Sequence, residues 1–333
     1  AMASSSEKGL SASRQGVFVA DVCLTAVDSL RAKAWLARLT KDPDGAEDLA
    51  LWEACPKKKG ENKVPSPLAL RFCESRCRVL RRCVDDVVDA LRPSLVANVG
   101  AGLDGELLRR ARRGDARMRL LEVDFEEVVD LKRRLLSTTL LHAQTTLELR
   151  AADLRDVAAL RRALLLPSSS SSKEEGDAVS SSSSVGLCEM VLPYVDDETA
   201  RATRLLARER FDCWIEFGVL RASSPPNAKD DDAKDDAKDK DDAFGSALSA
   251  GFARSGAALG SGASESRDAV HAALTAAGFR YVAVRSLEAR ASAKEAIGPL
   301  YEGELFDEDA ALRLARRRYV VAVGARRAVA VAA

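Results

Sequence analysis

Two hydrophobic periods alternate along most of this chain. Apolar residues recur every three to four positions over Leu80–Leu91, Gly105–Arg113, Phe125–Leu136, Val157–Leu166 and Glu198–Glu209, the spacing of helices with one buried face. Between them lie short apolar runs, Ser94–Val99, Met118–Val123, Glu148–Ala152, Gly186–Leu192 and Cys213–Val219, of the length expected for buried strands. Strands alternating with helices predict a parallel sheet with right-handed crossovers, a doubly wound α/β fold. Later, Val270–Ala277 reads as a helix, and Phe279–Leu287 and Arg318–Val323 as strands. That late pair suits an antiparallel edge on the mostly parallel sheet.

Two segments break the pattern. Residues 168–184 form a serine tract interrupted by Lys173-Glu174-Glu175-Gly176-Asp177, and residues 222–242 alternate Lys and Asp. Neither buries enough apolar surface to offset its ordering entropy, so both are expected to be disordered surface insertions. With a disordered tail over residues 1–20, the organisation is one enlarged domain spanning residues 21–333.

Composition narrows the function classes. Lys+Arg and Asp+Glu are equal at 51 each, so no global basic field argues for nucleic acid or a membrane surface. No apolar run reaches the roughly 20 residues of a membrane span, and the Ser-rich start lacks a signal-peptide core, so a soluble, cytoplasmic protein is expected. Seven irregularly spaced cysteines read as reduced thiols. Cys73, Cys77 and Cys83 fit core packing on a helix better than metal ligation, since no histidine lies nearby, and no metal is expected.

Candidate chemistry gathers at the carboxyl ends of the strands, where open α/β sheets bind ligands. The first predicted strand runs into Gly100-Ala101-Gly102, the second ends at Asp124, the third leads to Asp153-Leu154-Arg155-Asp156, and the fourth carries Glu189 with Tyr194 close behind. An acidic side chain after the second strand can take two ribose hydroxyls, and one after the third an adenine amino group, so an adenosine-containing cofactor fits. Gly100, Gly102 and Gly105 also satisfy the G-x-G-x-x-G pattern, which leaves a nicotinamide dinucleotide open beside S-adenosylmethionine. Asp124 and Asp153 also fit as helix N-caps. Glu189, inside an apolar run, requires a partner or a site.

Taken in order, Asn98-Val99-Gly100-Ala101-Gly102-Leu103-Asp104, Glu122-Val123-Asp124-Phe125 with Lys132, Ala152-Asp153-Leu154-Arg155-Asp156 and Cys188-Glu189-Met190-Val191-Leu192-Pro193-Tyr194 resemble the successive signatures of the leucine carboxyl methyltransferase family. Upstream, Thr25, Asp28, Lys33, Arg71 and Arg76 resemble its N-terminal pattern, and downstream Ala243-Phe244-Gly245, Gly256 with Leu259, Gly278-Phe279 and residues 303–308 fall where it has similar runs. The resemblance covers roughly residues 21–324.

It implies a Rossmann-like S-adenosylmethionine-dependent methyltransferase with a helical N-terminal lid, acting as a monomer on the C-terminal leucine carboxylate of the protein phosphatase 2A catalytic subunit. Lys33, Arg76, Gly100, Gly102, Asp124, Asp153, Leu154 and Glu189 would contact the cofactor. Among these, Lys33 and Arg76 would hold its methionine carboxylate, Asp124 the ribose, and Asp153 with Leu154 the adenine. Tyr194 would line the transfer site. Relatives of the family methylate other carboxylates, on a modified tRNA base and on small metabolites. An oxidoreductase on a similar fold and a non-catalytic binder of cofactor or phosphatase remain the readings from other classes. At the fifth strand, where the family usually has Tyr-Glu, this chain has Ile215-Glu216-Phe217-Gly218.

Overall fold

The computed structural model describes residues 25–56, 64–113, 118–139, 147–165, 183–221, 258–287 and 315–329, with single helical positions at 246, 250 and 253. The tail 1–20, the Lys/Asp tract 222–242, most of the serine tract, the 243–245 and 303–308 runs and Gly256 lie outside the described residues. Helix α1 covers residues 25–40. After it come α2 (Ala46–Ala54), α3 (Pro67–Leu91), β1 (Leu95–Val99), α4 (Glu106–Arg112), β2 (Arg119–Asp124), α5 (Glu126–Ser137), β3 (Leu147–Ala151) and α6 (Val157–Leu164). The second half contains β4 (Ser184–Glu189), α7 (Asp197–Arg210), β5 (Cys213–Val219), α8 (Arg267–Ala276), β6 (Tyr281–Ser286) and β7 (Tyr319–Ala325).

The seven strands form one sheet of order β3-β2-β1-β4-β5-β7-β6. β1 to β5 pair in parallel, and β7 enters antiparallel between β5 and β6, as the late strand pair predicted. Alternation divides the strand residues between two cores. Leu95, Ala97 and Val99 of β1 join Leu160, Leu206 and Leu274 from α6, α7 and α8 on one face. Val96 joins Val84 and Val87 of α3 and Leu107 of α4 on the other. A third cluster, Leu30, Leu51, Leu103 and Val128, joins α1, α2 and α5 around the end of the glycine turn. Edge strand β6 buries only alternate positions against α8, as a strand with one solvated face should.

Several boundaries differ from expectation, and three of them bear on the site. α3 begins at Pro67, thirteen residues before the predicted Leu80, with the Ser66 hydroxyl accepting the Ala69 N–H at 3.3 Å. Its first half hides an amphipathic face among charges, because Arg71 and Glu74 are buried and ion-paired at 3.1 Å. The serine tract ends earlier than residue 184, since Ser183 is buried and Ser184 opens β4. At its other end β4 stops at Glu189 and not at Leu192, because Met190 adopts φ +55° and the chain turns into a 3-10 helix over Leu192–Tyr194. Cys73, Cys77 and Cys83 are all buried on α3, with Cys73 and Cys77 Sγ atoms 3.9 Å apart. Among the described residues, no helix is long and apolar enough to cross a membrane.

Candidate cofactor and methyl-transfer site

β1 ends in a turn whose conformation requires glycine. Gly100 has φ +72° and Gly102 φ +55°, in the left-handed region. The turn is roofed by the N-terminal helices, the placement expected of a lid. The position a Cβ would take on Gly102 lies 3.6 Å from Ala26 of α1, and Asp48 of α2 accepts the Gly105 N–H at 2.9 Å.

The hydrogen bonds of this turn separate the two cofactor classes. Gly100 and Ala101 N–H donate to the Val123 carbonyl, Gly102 N–H to Asp124 Oδ2, Asp104 N–H to the Ala101 carbonyl and Glu106 N–H to Asp104 Oδ1. With Gly105 bonded to Asp48, the N–H groups of Gly100, Ala101, Gly102, Asp104, Gly105 and Glu106 are all occupied within the protein, and a carboxylate already stands at the start of α4 where a pyrophosphate would lie. The G-x-G-x-x-G pattern therefore marks a close strand-to-helix turn and not a dinucleotide fingerprint. A cofactor without phosphate loses nothing there.

Five side chains from distant parts of the sequence form a continuous, largely buried polar chain beside the turn. Lys33 Nζ on α1 lies 3.2 Å from Asp104 Oδ1 and 3.0 Å from Glu189 Oε2. Arg76 of α3 donates from Nη2 to Ser29 Oγ at 3.1 Å. Its Nε stands 3.1 Å from Glu189 Oε1 without hydrogen-bond alignment, leaving both buried atoms as orphans. Burial opposes the charge on Lys33, but Asp104 and Glu189 outweigh it and hold the ammonium well above its ordinary range. Arg76 is raised in the same way, with Glu189 overcoming its burial. Burial likewise opposes ionisation of Asp104, but Lys33 and Lys132 keep its carboxyl well below the ordinary range.

An amino-acid zwitterion matches this arrangement. Its carboxylate would satisfy the Arg76 fork and Lys33, and its ammonium would meet the misaligned Glu189 oxygen. The buried orphans on Arg76 and Glu189 fit a methionine-bearing cofactor, and the two glycines let it approach the backbone.

The remaining predicted residues are dispersed around that cluster. Asp124 ends β2, buried, with Oδ2 accepting the Gly102 N–H at 2.6 Å and Oδ1 the Phe125 N–H at 2.7 Å. It is not the helix cap, a place taken by Phe125, and each oxygen keeps a lone pair for a ribose hydroxyl. Burial raises its pKa against the pull of those two N–H bonds. Asp153 is not a cap either, since Asp156 caps α6. Its carboxylate is partly exposed and clasped by Arg155, with Nη2 to Oδ2 at 2.6 Å. Leu154 buries its side chain in the core, so the backbone is what it offers an adenine. Asp153→Ala should weaken cofactor binding severalfold, the loss of about 1 kcal/mol in one exposed hydrogen bond, with an unchanged melting temperature. Calorimetric titration and a thermal melt check both parts.

Tyr194 closes the 3-10 turn after β4, and burial raises its phenol to about 12 despite the nearby Arg76 charge. Sequence reasoning missed its companion. Tyr319, at the start of β7 and 243 positions from Arg76, is buried, feels both Arg76 and Tyr194, and packs 4.2 Å from the Phe72 ring and 5.9 Å from that of Phe217. Nothing in a Tyr-Val-Val-Ala-Val strand distinguishes such a residue from an ordinary core aromatic. Glu216 of β5 is present but sealed, with Arg204 Nε at 3.0 Å and Trp214 Nε1 at 3.1 Å from its Oε2.

Sheet order and glycine turn are those of the Rossmann-like fold on which S-adenosylmethionine-dependent methyltransferases are built. The family model described as leucine carboxyl methyltransferase matches residues 32–208, more than half of the sequence, and the chain belongs to that family. Its cofactor is S-adenosylmethionine, the family's methyl donor.

No curated protein matches the sequence. Similar solved structures include an O-methyltransferase family protein from Burkholderia thailandensis, 17% identical, covering 78% of this chain and 59% of its own length at a TM-score of 0.41. A methyltransferase candidate from Thermobifida fusca YX is 16% identical, with 90% and 94% covered at 0.49. Human N-acetylserotonin methyltransferase in complex with S-adenosylmethionine is 12% identical, with 92% and 67% covered at 0.41. The chain thus spans about three-fifths of the length of the first of these.

Proposed function

We propose that this chain esterifies the C-terminal leucine carboxylate of the protein phosphatase 2A catalytic subunit. The observation that carries this reading is a site with two cations, Lys33 and Arg76, on either side of Glu189 and, among the described residues, no histidine beside them. Among the described residues, the one histidine is His271, exposed on α8 and occupied with Thr275. Tyr194 keeps its proton at neutral pH. A peptide carboxylate, with a pKa of about 3.5, is already ionised and needs none removed.

Bound beside the glycine turn, the cofactor supplies an electrophilic sulfonium methyl. Transfer of that methyl to an acceptor carboxylate oxygen would exchange the C–S bond for a C–O bond and would require no proton to move. The chain's task is to position. Lys33, Arg76 and Glu189 fix the amino-acid end, Asp124 fixes the ribose, and the aromatic rings of Tyr194 and Tyr319 keep water from the nucleophile. Alignment and water exclusion of this kind can contribute roughly 7 to 11 kcal/mol to the barrier reduction.

One observation favours a second reading, a different carboxylate acceptor. The family match stops at residue 208, before β5, so the strands β5 to β7 and the chain around Tyr319 lie beyond it.

Transfer of labelled methyl from S-adenosylmethionine to the intact catalytic subunit, beside one lacking its terminal leucine, decides between them. Base-labile label on the intact subunit alone is the expected result. Absence of label on both, with protein that is folded and binds cofactor, would reject the phosphatase tail and leave another carboxylate.

A further inference from the structure

The polar chain at the cofactor turn continues inward, past the residues that would touch the cofactor. Lys132 of α5 is buried, and its Nζ lies 2.5 Å from Glu122 Oε2 in the middle of β2 and 2.5 Å from the backbone carbonyl of Asp104 in the turn. One ammonium therefore joins the second strand to the loop whose Asp104 carboxylate faces Lys33. Glu122 is 1% exposed, and its strand neighbours are Asn98 on β1 and Leu149 on β3. Neither Asn98 Oδ1 nor Nδ2 has a hydrogen-bond partner among the described residues, nor does either oxygen of Glu122, whose Oε2 meets Lys132 as an ion pair without hydrogen-bond alignment. Buried orphans of this kind cost about 1 to 3 kcal/mol each, a poor choice for a pair serving only as core.

We propose that Lys132 and Glu122 are positioning residues for S-adenosylmethionine, forming a buried strut that holds the Gly100–Gly105 turn and the Asp104 carboxylate in the geometry that orients Lys33. The proposal concerns donor binding and is independent of which carboxylate receives the methyl.

Protonation of Glu122 supplies a readout that a purely structural role does not move. The charges acting on it are Lys132 from α5, Asp104 from the turn and Asp124 from its own strand; burial outweighs Lys132 and raises its pKa to about 7. Above that pH the carboxylate is ionised and anchors the ammonium. Below it, the strut loses its counter-charge. Donor affinity should therefore fall as pH drops from 8 to 6, by up to roughly tenfold if only the ionised form holds the turn. Asp48, raised to about 6 by burial and Asp104, and Cys77, lowered to about 7 by its Cys73 bond, titrate in the same range. The comparison that isolates Glu122 is wild type against Glu122→Gln.

Calorimetric titration of S-adenosylmethionine into wild type, Glu122→Gln and Lys132→Met between pH 6 and 8.5, with circular dichroism on each, tests the strut. Expected are at least tenfold weaker binding by folded Lys132→Met and a flattened profile for Glu122→Gln, close to the low-pH affinity of the wild type. Folded Lys132→Met binding within twofold of wild type, or a Glu122→Gln profile that follows the wild type, would overturn it. Should Lys132→Met fail to fold, the isosteric Glu122→Gln profile decides alone.

Discussion

Arg76→Ala should weaken S-adenosylmethionine binding by about two orders of magnitude while leaving the fold intact. Arg76 lies mostly buried against Glu189 and Ser29, and its guanidinium is the fork that a methionine carboxylate would meet. Truncating one member of a buried, hydrogen-bonded charge pair costs about 2 to 5 kcal/mol, and 1.4 kcal/mol is tenfold in affinity. Glu189 keeps Lys33 at 3.0 Å in the variant, so the folded protein is not left with an isolated buried charge. Arg76→Lys should fall between, since an ammonium lacks the two-pronged geometry. The control is 5′-methylthioadenosine, which has the adenosine portion but no amino-acid end, and should bind wild type and variant equally. If S-adenosylmethionine binds the folded variant within threefold of wild type, Arg76 does not hold the carboxylate.

Gly100→Ala should be the most damaging single-methyl change at the site. Its backbone lies at φ +72°, where an L side chain costs roughly 1 to 2 kcal/mol. The new Cβ would also stand 2.3 Å from Val191 Cγ2, and Val191 is β-branched and cannot swing away cheaply. Overpacking of that order adds about 1 to 3 kcal/mol. A total of about 2 to 5 kcal/mol should lower the melting temperature by roughly 10 °C. Val191→Ala in the same chain should recover the steric part and not the backbone part, leaving a deficit of about 1 to 2 kcal/mol. Thermal melts of both single variants and the double variant read this out. A single variant that melts like wild type would mean that the turn adopts another conformation.

The two variants probe different layers of legibility. Gly100, Gly102, Asp124 and Glu189 stand out in the sequence because each breaks an apolar run, and the structure brings them to one end of the sheet. Arg76 was visible only through its neighbours in the family pattern, since within Arg76-Cys77-Arg78-Val79-Leu80-Arg81-Arg82 nothing local separates a buried arginine from a solvated one. Its burial depends on a face of α3 whose first half sets four charged residues, Arg71, Glu74, Arg76 and Arg78, among the apolar ones. The end of β4 was misplaced for a similar reason. Met190, Val191 and Leu192 continue the apolar run, but they leave the ladder to pack under the glycine turn and into the two cores.

Local periodicity therefore determined the alternation of strands and helices, the antiparallel late pair and the glycine turn with its acidic neighbours, because each depends on residues a few positions apart. Tertiary structure alone decided which charges meet. Lys33 reaches Glu189 across 156 positions, and Lys132 reaches the Asp104 carbonyl across 28. It also decided that most of the turn's N–H groups are occupied within the protein and that Glu216 is sealed by Arg204. Ion pairing and desolvation are set by distance and burial in space, and a linear sequence specifies neither until the sheet has closed around them.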